Sequence, residues 1–122
     1  MSEFDILKAN SDELTKLEKE CGLHPDFSNF IDDIEIRRAR LVFYINMISA
    51  DKFEEQNLRT YLNVVFGESG YRLEVYNDDV KMPVIDIETY PKEIETRNII
   101  ILKDIRAMIL MNIVMFVNKI GL

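Results

Sequence analysis

At 122 residues the chain has room for one hydrophobic core, so residues 1–122 are expected to form a single domain. It carries 15 Lys and Arg against 22 Asp and Glu, a net charge of −7, so the molecule as a whole repels a phosphate backbone and direct nucleic-acid binding is not expected. With 48% apolar and 30% charged residues the chain can build a core and solvate its outside, which excludes disorder and a fibrous structure.

Ser11, followed by Asp12 and Glu13, reads as a helix cap, with Leu14, Leu17 and Cys21 on one face and Gly22 as the stop. Pro25 opens a second helix, expected over about 25–49, in which Phe27, Ile31, Ile34, Leu41, Ile45 and Ile48 recur at spacings of three, four and seven. Asp51 and Glu54 resemble a capping pair for a third helix over about 51–66, with Phe53, Leu58, Tyr61, Leu62 and Val65 as its stripe and Gly67 as its end.

After Gly70 the period switches to two. Tyr71, Leu73 and Val75 alternate with Arg72, Glu74 and Tyr76, and Val80, Met82 and Val84 resume the alternation beyond an Asn77-Asp78-Asp79 turn. This predicts a β-hairpin over about 71–87, with Pro83 confining the second strand to an edge or a bulge. From Thr89-Tyr90-Pro91 a long helix is expected to run to Lys119; the competing reading makes Ile99-Ile100-Ile101 a strand and Asp104 the cap of a shorter helix. The expected fold is therefore α+β and mainly helical, with three N-terminal helices, a hairpin and a long apolar C-terminal helix.

That last helix is apolar nearly all round between Ile105 and Val117, so it must be surrounded, either by the rest of the chain or by a copy of itself. In the second case Ile105, Met108, Ile109, Asn112, Ile113 and Phe116 form a homodimer or larger interface, with Asn112 as a buried register-setting amide. The apolar run 107–117 is 11 residues long, against the ~20 that a membrane span needs, so no membrane association is expected. A lone cysteine, Cys21, and an acidic start without the features of a secretory signal point to a reducing, cytoplasmic setting.

Chemistry-bearing patterns are sparse. His24 and Cys21 are too few for a zinc site, and Gly22, Gly67, Gly70 and Gly121 serve as stops and turns and not as a phosphate loop, so no metal or cofactor is expected. Arg37, Arg38 and Arg40 follow Asp32, Asp33 and Glu35, and pairs such as Asp33 with Arg37 at i, i+4 read as a solvated, salt-bridged face. The hairpin and its exit gather acids: Glu74, Asp78, Asp79, Asp86, Glu88, Glu93 and Glu95, against Arg72, Lys81 and Lys92. As a recognition surface they would steer and seat a basic protein partner, such as a toxin or a nucleic-acid enzyme. The expected function is accordingly that of a small acidic, non-catalytic binding protein of the immunity, antitoxin or phage-inhibitor type. The alternatives are an assembly protein or chaperone working through the C-terminal helix, and a metal-dependent nuclease using the same carboxylates with Lys81.

Overall fold

The chain opens with a helix that periodicity did not announce, α1 (Glu3–Lys8), whose early Glu3 and Asp5 and late Lys8 suit the helix dipole and whose Ile6 is fully buried. The computed structural model describes residues 3–23, 25–77, 83–90, 96–112 and 119–120. α2 (Ser11–Glu20) is capped one residue earlier than expected, by Asn10 and not Ser11. The Asn10 carboxamide oxygen accepts the Glu13 N–H at 2.9 Å while the Glu13 carboxylate accepts the Asn10 N–H at 3.2 Å, which satisfies two helix-end donors reciprocally and frees the Ser11 side chain. Leu14 is buried, Leu17 and Cys21 pack partly buried against the core, and Gly22 ends the run at φ +70°.

The helix expected over 25–49 is two helices, α3 (Asp26–Phe30) and α4 (Ile34–Ala50). Asp33 is the reason for the break. Its carboxylate accepts the N–H groups of Glu35 and Ile36 at 2.9 and 3.2 Å, so it caps a new helix instead of pairing with Arg37, and Ile31 ahead of it is extended. α4 buries Ile36, Leu41, Phe43 and Met47, while Ile48, expected on the apolar stripe, is 45% exposed. Asp51 takes a left-handed conformation (φ +51°) as the C-cap of α4 and forms no capping pair with Glu54. α5 (Glu55–Phe66) presents Leu58, Tyr61, Leu62 and Val65 inward as expected. At Gly70 a Cβ would collide with the Phe66 carbonyl, so only glycine lets the chain turn this tightly from α5 into the sheet.

The hairpin is present: β1 (Tyr71–Asn77) pairs antiparallel with β2 (Pro83–Thr89), Leu73 opposite Ile87 and Glu74 opposite Asp86. The expected turn at Asp78 and Asp79 lies outside the described residues. At Ile99-Ile100-Ile101 the helical option is realised, within α6 (Thr96–Asn112), and Asp104 sits inside that helix without capping it. α6 does not run on to Lys119, because Lys119 and Ile120 form β3, parallel to β2 in a sheet of order β1-β2-β3. Nor is its described part apolar all round: Ile101, Leu102, Ile105, Met108 and Ile109 are buried, whereas Lys103, Arg106, Ala107 and Leu110 are exposed.

The architecture is thus mainly helical α+β. α4 and α5 pack side by side, with the Phe43 and Tyr61 rings stacked at 5.6 Å between centroids, and the inner face of the hairpin adds Tyr71, Leu73, Ile85 and Ile87 to the same core. Among the described residues no helix is long and apolar enough to cross a membrane.

Candidate functional site

Strand alternation sends Tyr71 and Leu73 to the core and turns Arg72, Glu74 and Tyr76 outward. Register then brings Glu88 opposite Arg72 and Asp86 opposite Glu74, so four charged side chains meet on the outer face of the hairpin. The Arg72 guanidinium is the hub. Its Nη1 lies 2.6 Å from Glu74 Oε1, its Nη2 3.5 Å from Asp86 Oδ2, and both Nε and Nη2 donate to Glu88 Oε2 at 3.2 Å. Hydrogen bonds to Glu74 first and to Glu88 second push the guanidinium further above its already high pKa, so it stays a cation at any working pH. One cation set against three carboxylates leaves the face two charges negative. Glu74 remains 55% exposed at the side chain and Tyr76 42% exposed beside it.

Of the acids singled out from the sequence, the structure brings together Glu74, Asp86 and Glu88; Asp78, Asp79, Glu93 and Glu95 lie outside the described residues. On the C-terminal helix, Ile105, Met108 and Ile109 are buried in the chain's own core at 0–2% exposure. The side chain of Asn112, and Ile113 and Phe116 altogether, lie outside the described residues. Cys21 is half-buried at the C-cap of α2, and burial, followed by the neighbouring Glu20, raises its thiol pKa, so the reactive thiolate is disfavoured. Among the described residues no group of three His, Cys, Asp or Glu is placed to hold a metal ion.

The arginines are where the structure departs furthest from the expected solvated face. Arg37 and Arg40 are buried at 2% and 1% exposure and converge on Glu18 of α2, which is itself buried. Arg37 Nη2 meets Glu18 Oε1 at 2.6 Å and Arg40 Nη1 meets Glu18 Oε2 at 3.3 Å. Arg37 also donates to Ser11 Oγ and Thr15 Oγ1, at 2.9 and 3.0 Å. Arg40 grips Asp104 of α6 through two bonds, Nε to Oδ2 at 2.8 Å and Nη2 to Oδ1 at 2.6 Å, and its guanidinium lies 4.0 Å from the Phe27 ring centroid. Only Arg38 keeps the expected local pair, with Glu35 at 2.9 Å. A readable signal existed. Glu18 falls four residues after Leu14 and three before Cys21, and Asp104 three after Ile101 and four before Met108, so each acid interrupts an apolar stripe.

Two clefts flank this network. One of about 400 Å³ lies between α1, α4 and α5 and is walled by Leu7, Val42 and Val64 with Asn46 and Asn57. The other, about 370 Å³, lies between α3 and α6 and is lined by Phe27, Phe30, Ile100 and Ala107 with Lys103 and Asp104. The outer hairpin face brings three carboxylates together around one guanidinium on a partly exposed surface. No protein-family model, curated protein or solved structure matches the chain.

Proposed function

We propose that the chain is a small, non-catalytic binding protein whose outer hairpin face seats a basic protein partner and so occupies and neutralises it. The observation that carries this reading is the Arg72 hub. By tying Glu74, Asp86 and Glu88 into one layer it holds three carboxylates in fixed positions and still leaves an excess of negative charge. Carboxylates held in place lose less side-chain entropy on docking than free ones, and a net charge of −7 raises the encounter rate with a cationic surface. Asp78, Asp79, Glu93 and Glu95 fall in the same stretch of sequence and add to its negative charge. A partner that handles nucleic acid, such as a nuclease-type toxin met by its immunity protein or antitoxin, or a host enzyme met by a phage inhibitor, offers the cationic surface this face fits.

The test is affinity capture from the source organism at low and high salt, followed by kinetics with the captured protein. A basic partner is expected whose association slows as salt rises, and Asp86→Asn with Glu88→Gln should weaken binding at least about ten-fold, mostly through the association rate. The matched pair Glu35→Gln with Glu55→Gln, on the helical side, should bind as the wild type does. A partner that is not basic, or one indifferent to the Asp86 and Glu88 changes while the variant remains folded by circular dichroism, overturns the reading.

A further inference from the structure

β1 is an outer strand of the sheet, and two independent hydrogen bonds show which of its backbone groups face outward. The Tyr90 N–H donates to the Gly70 carbonyl at 2.9 Å, which makes 70 and 90 a hydrogen-bonded pair. By strict alternation along an antiparallel ladder, 72 with 88 and 74 with 86 are then hydrogen-bonded pairs as well. The N–H and C=O groups of Tyr71, Leu73 and Val75 therefore point away from β2. Arg59 agrees with this, since its Nη2 reaches round the edge to the Leu73 carbonyl, at a long 3.4 Å. Among the described residues no strand pairs with that edge.

We propose that this edge pairs with the β1 of a second copy of the chain, antiparallel and two-fold about Leu73, so that two three-stranded sheets join into one. Charge complementarity selects the occupant and the register. Centring the two-fold on Leu73 sets Arg72 of each copy opposite Glu74 of the other in a close, non-hydrogen-bonded pair, while Tyr71 and Val75 exchange backbone hydrogen bonds across the axis. Centring it on Arg72 or on Glu74 would instead set like charges face to face, and centring it on Val75 would put Glu74 opposite Tyr76. The strand's alternation of Arg72 and Glu74 is thus self-complementary in one register alone, as a closed two-fold contact requires. The Arg59 bond to the Leu73 carbonyl gives way to the Leu73 N–H of the mate. The dimer also fuses the two acidic faces side by side, with Asp86 and Glu88 of both copies still outward. The proposal is independent of the basic partner proposed above: it shares Arg72 and Glu74 with that face, but its contact is the backbone edge of β1 and its readout is self-association of the chain alone.

The full chain, followed by sedimentation velocity across micromolar to millimolar concentration, decides it. The wild type is expected to dimerise, Glu74→Arg to weaken the dimer at least about ten-fold, and Arg72→Glu combined with Glu74→Arg to restore it. Val75→Pro supplies a backbone test, because it removes an outward N–H that the pairing with β2 does not use. It should leave a folded monomer by circular dichroism and cooperative thermal unfolding. A wild type that stays monomeric throughout overturns the proposal. So does a dimer that survives Val75→Pro, which would place the contact elsewhere, for example at the exposed Phe30 of the α3–α6 groove.

Discussion

Replacing Arg40 with alanine is expected to cost about 3–5 kcal/mol of folding stability, a drop in midpoint temperature on the order of 10–20 °C for a domain of this size. The side chain is 1% exposed and has three partners: Asp104 through two bonds, Glu18 through one, and the face of Phe27. Removing it takes both Arg40 bonds from Asp104, 9% exposed at its side chain, and one ion pair from Glu18, at 7%, which keeps its bond to Arg37. Desolvated carboxylates without their cation cost far more than the pair contributed when intact, which is why a single deletion is the damaging change. The contrast variant makes the argument specific. Glu18→Leu, Arg37→Met, Arg40→Met and Asp104→Leu together remove every charge of the cluster, and this combination should be less destabilised than Arg40→Ala alone, by urea or thermal unfolding. An Arg40→Ala protein within about 1 kcal/mol of wild type would show that these bonds do not hold α2, α4 and α6 together.

That cluster also marks the limit of what the sequence conveys. Patterns decided by neighbours along the chain were legible: the two-residue alternation of β1, the α5 stripe, the stops at Gly22 and Gly67, and helix at Ile99-Ile100-Ile101 in place of a strand. Patterns decided by partners far along the chain were not. Arg40 meets Asp104 across 64 positions: the place of Asp104 in an apolar stripe marks it as buried, but nothing local says which arginine it meets. Asp33 failed in a subtler way. Its i, i+4 spacing from Arg37 invites an ion pair, yet three residues of periodic apolar pattern hide a helix start, and a carboxylate is better used on free N–H groups there. For the candidate site, composition pointed to an acidic hairpin, and alternation put Arg72 and Glu74 on one face. That Asp86 and Glu88 share their cation required the strand register, a non-local quantity.

Tyr61→Phe is expected to stabilise the protein, by about 1–3 kcal/mol at neutral pH and by a growing margin in alkali. The ring is 1% exposed and stacked on Phe43, a contact that phenylalanine keeps, but the hydroxyl has no hydrogen-bond partner among the described residues. Deleting an unsatisfied buried hydroxyl removes a desolvation cost and leaves a void smaller than a methyl group. The alkaline effect follows from linkage. Burial first, and the Asp104 charge second, raise the Tyr61 pKa well above its usual 10, outweighing the lowering influence of Arg40 and Arg97. Below pH 10 the phenol is protonated in both folded and unfolded chains, and its contribution does not vary with pH. Above pH 10 the unfolded chain releases the proton that the folded chain retains, so stability falls as pH rises, by up to about 1.4 kcal/mol per pH unit for this one group. Other tyrosines and lysines titrate in the same range, and the difference between wild type and Tyr61→Phe isolates the Tyr61 share. Urea midpoints measured from pH 7 to 11.5 should show the two proteins separated by a constant gap to about pH 10 and diverging beyond it. Parallel curves throughout would mean that the Tyr61 hydroxyl ionises as readily in the folded chain as in the unfolded one, which a fully buried hydroxyl near the Asp104 charge does not do.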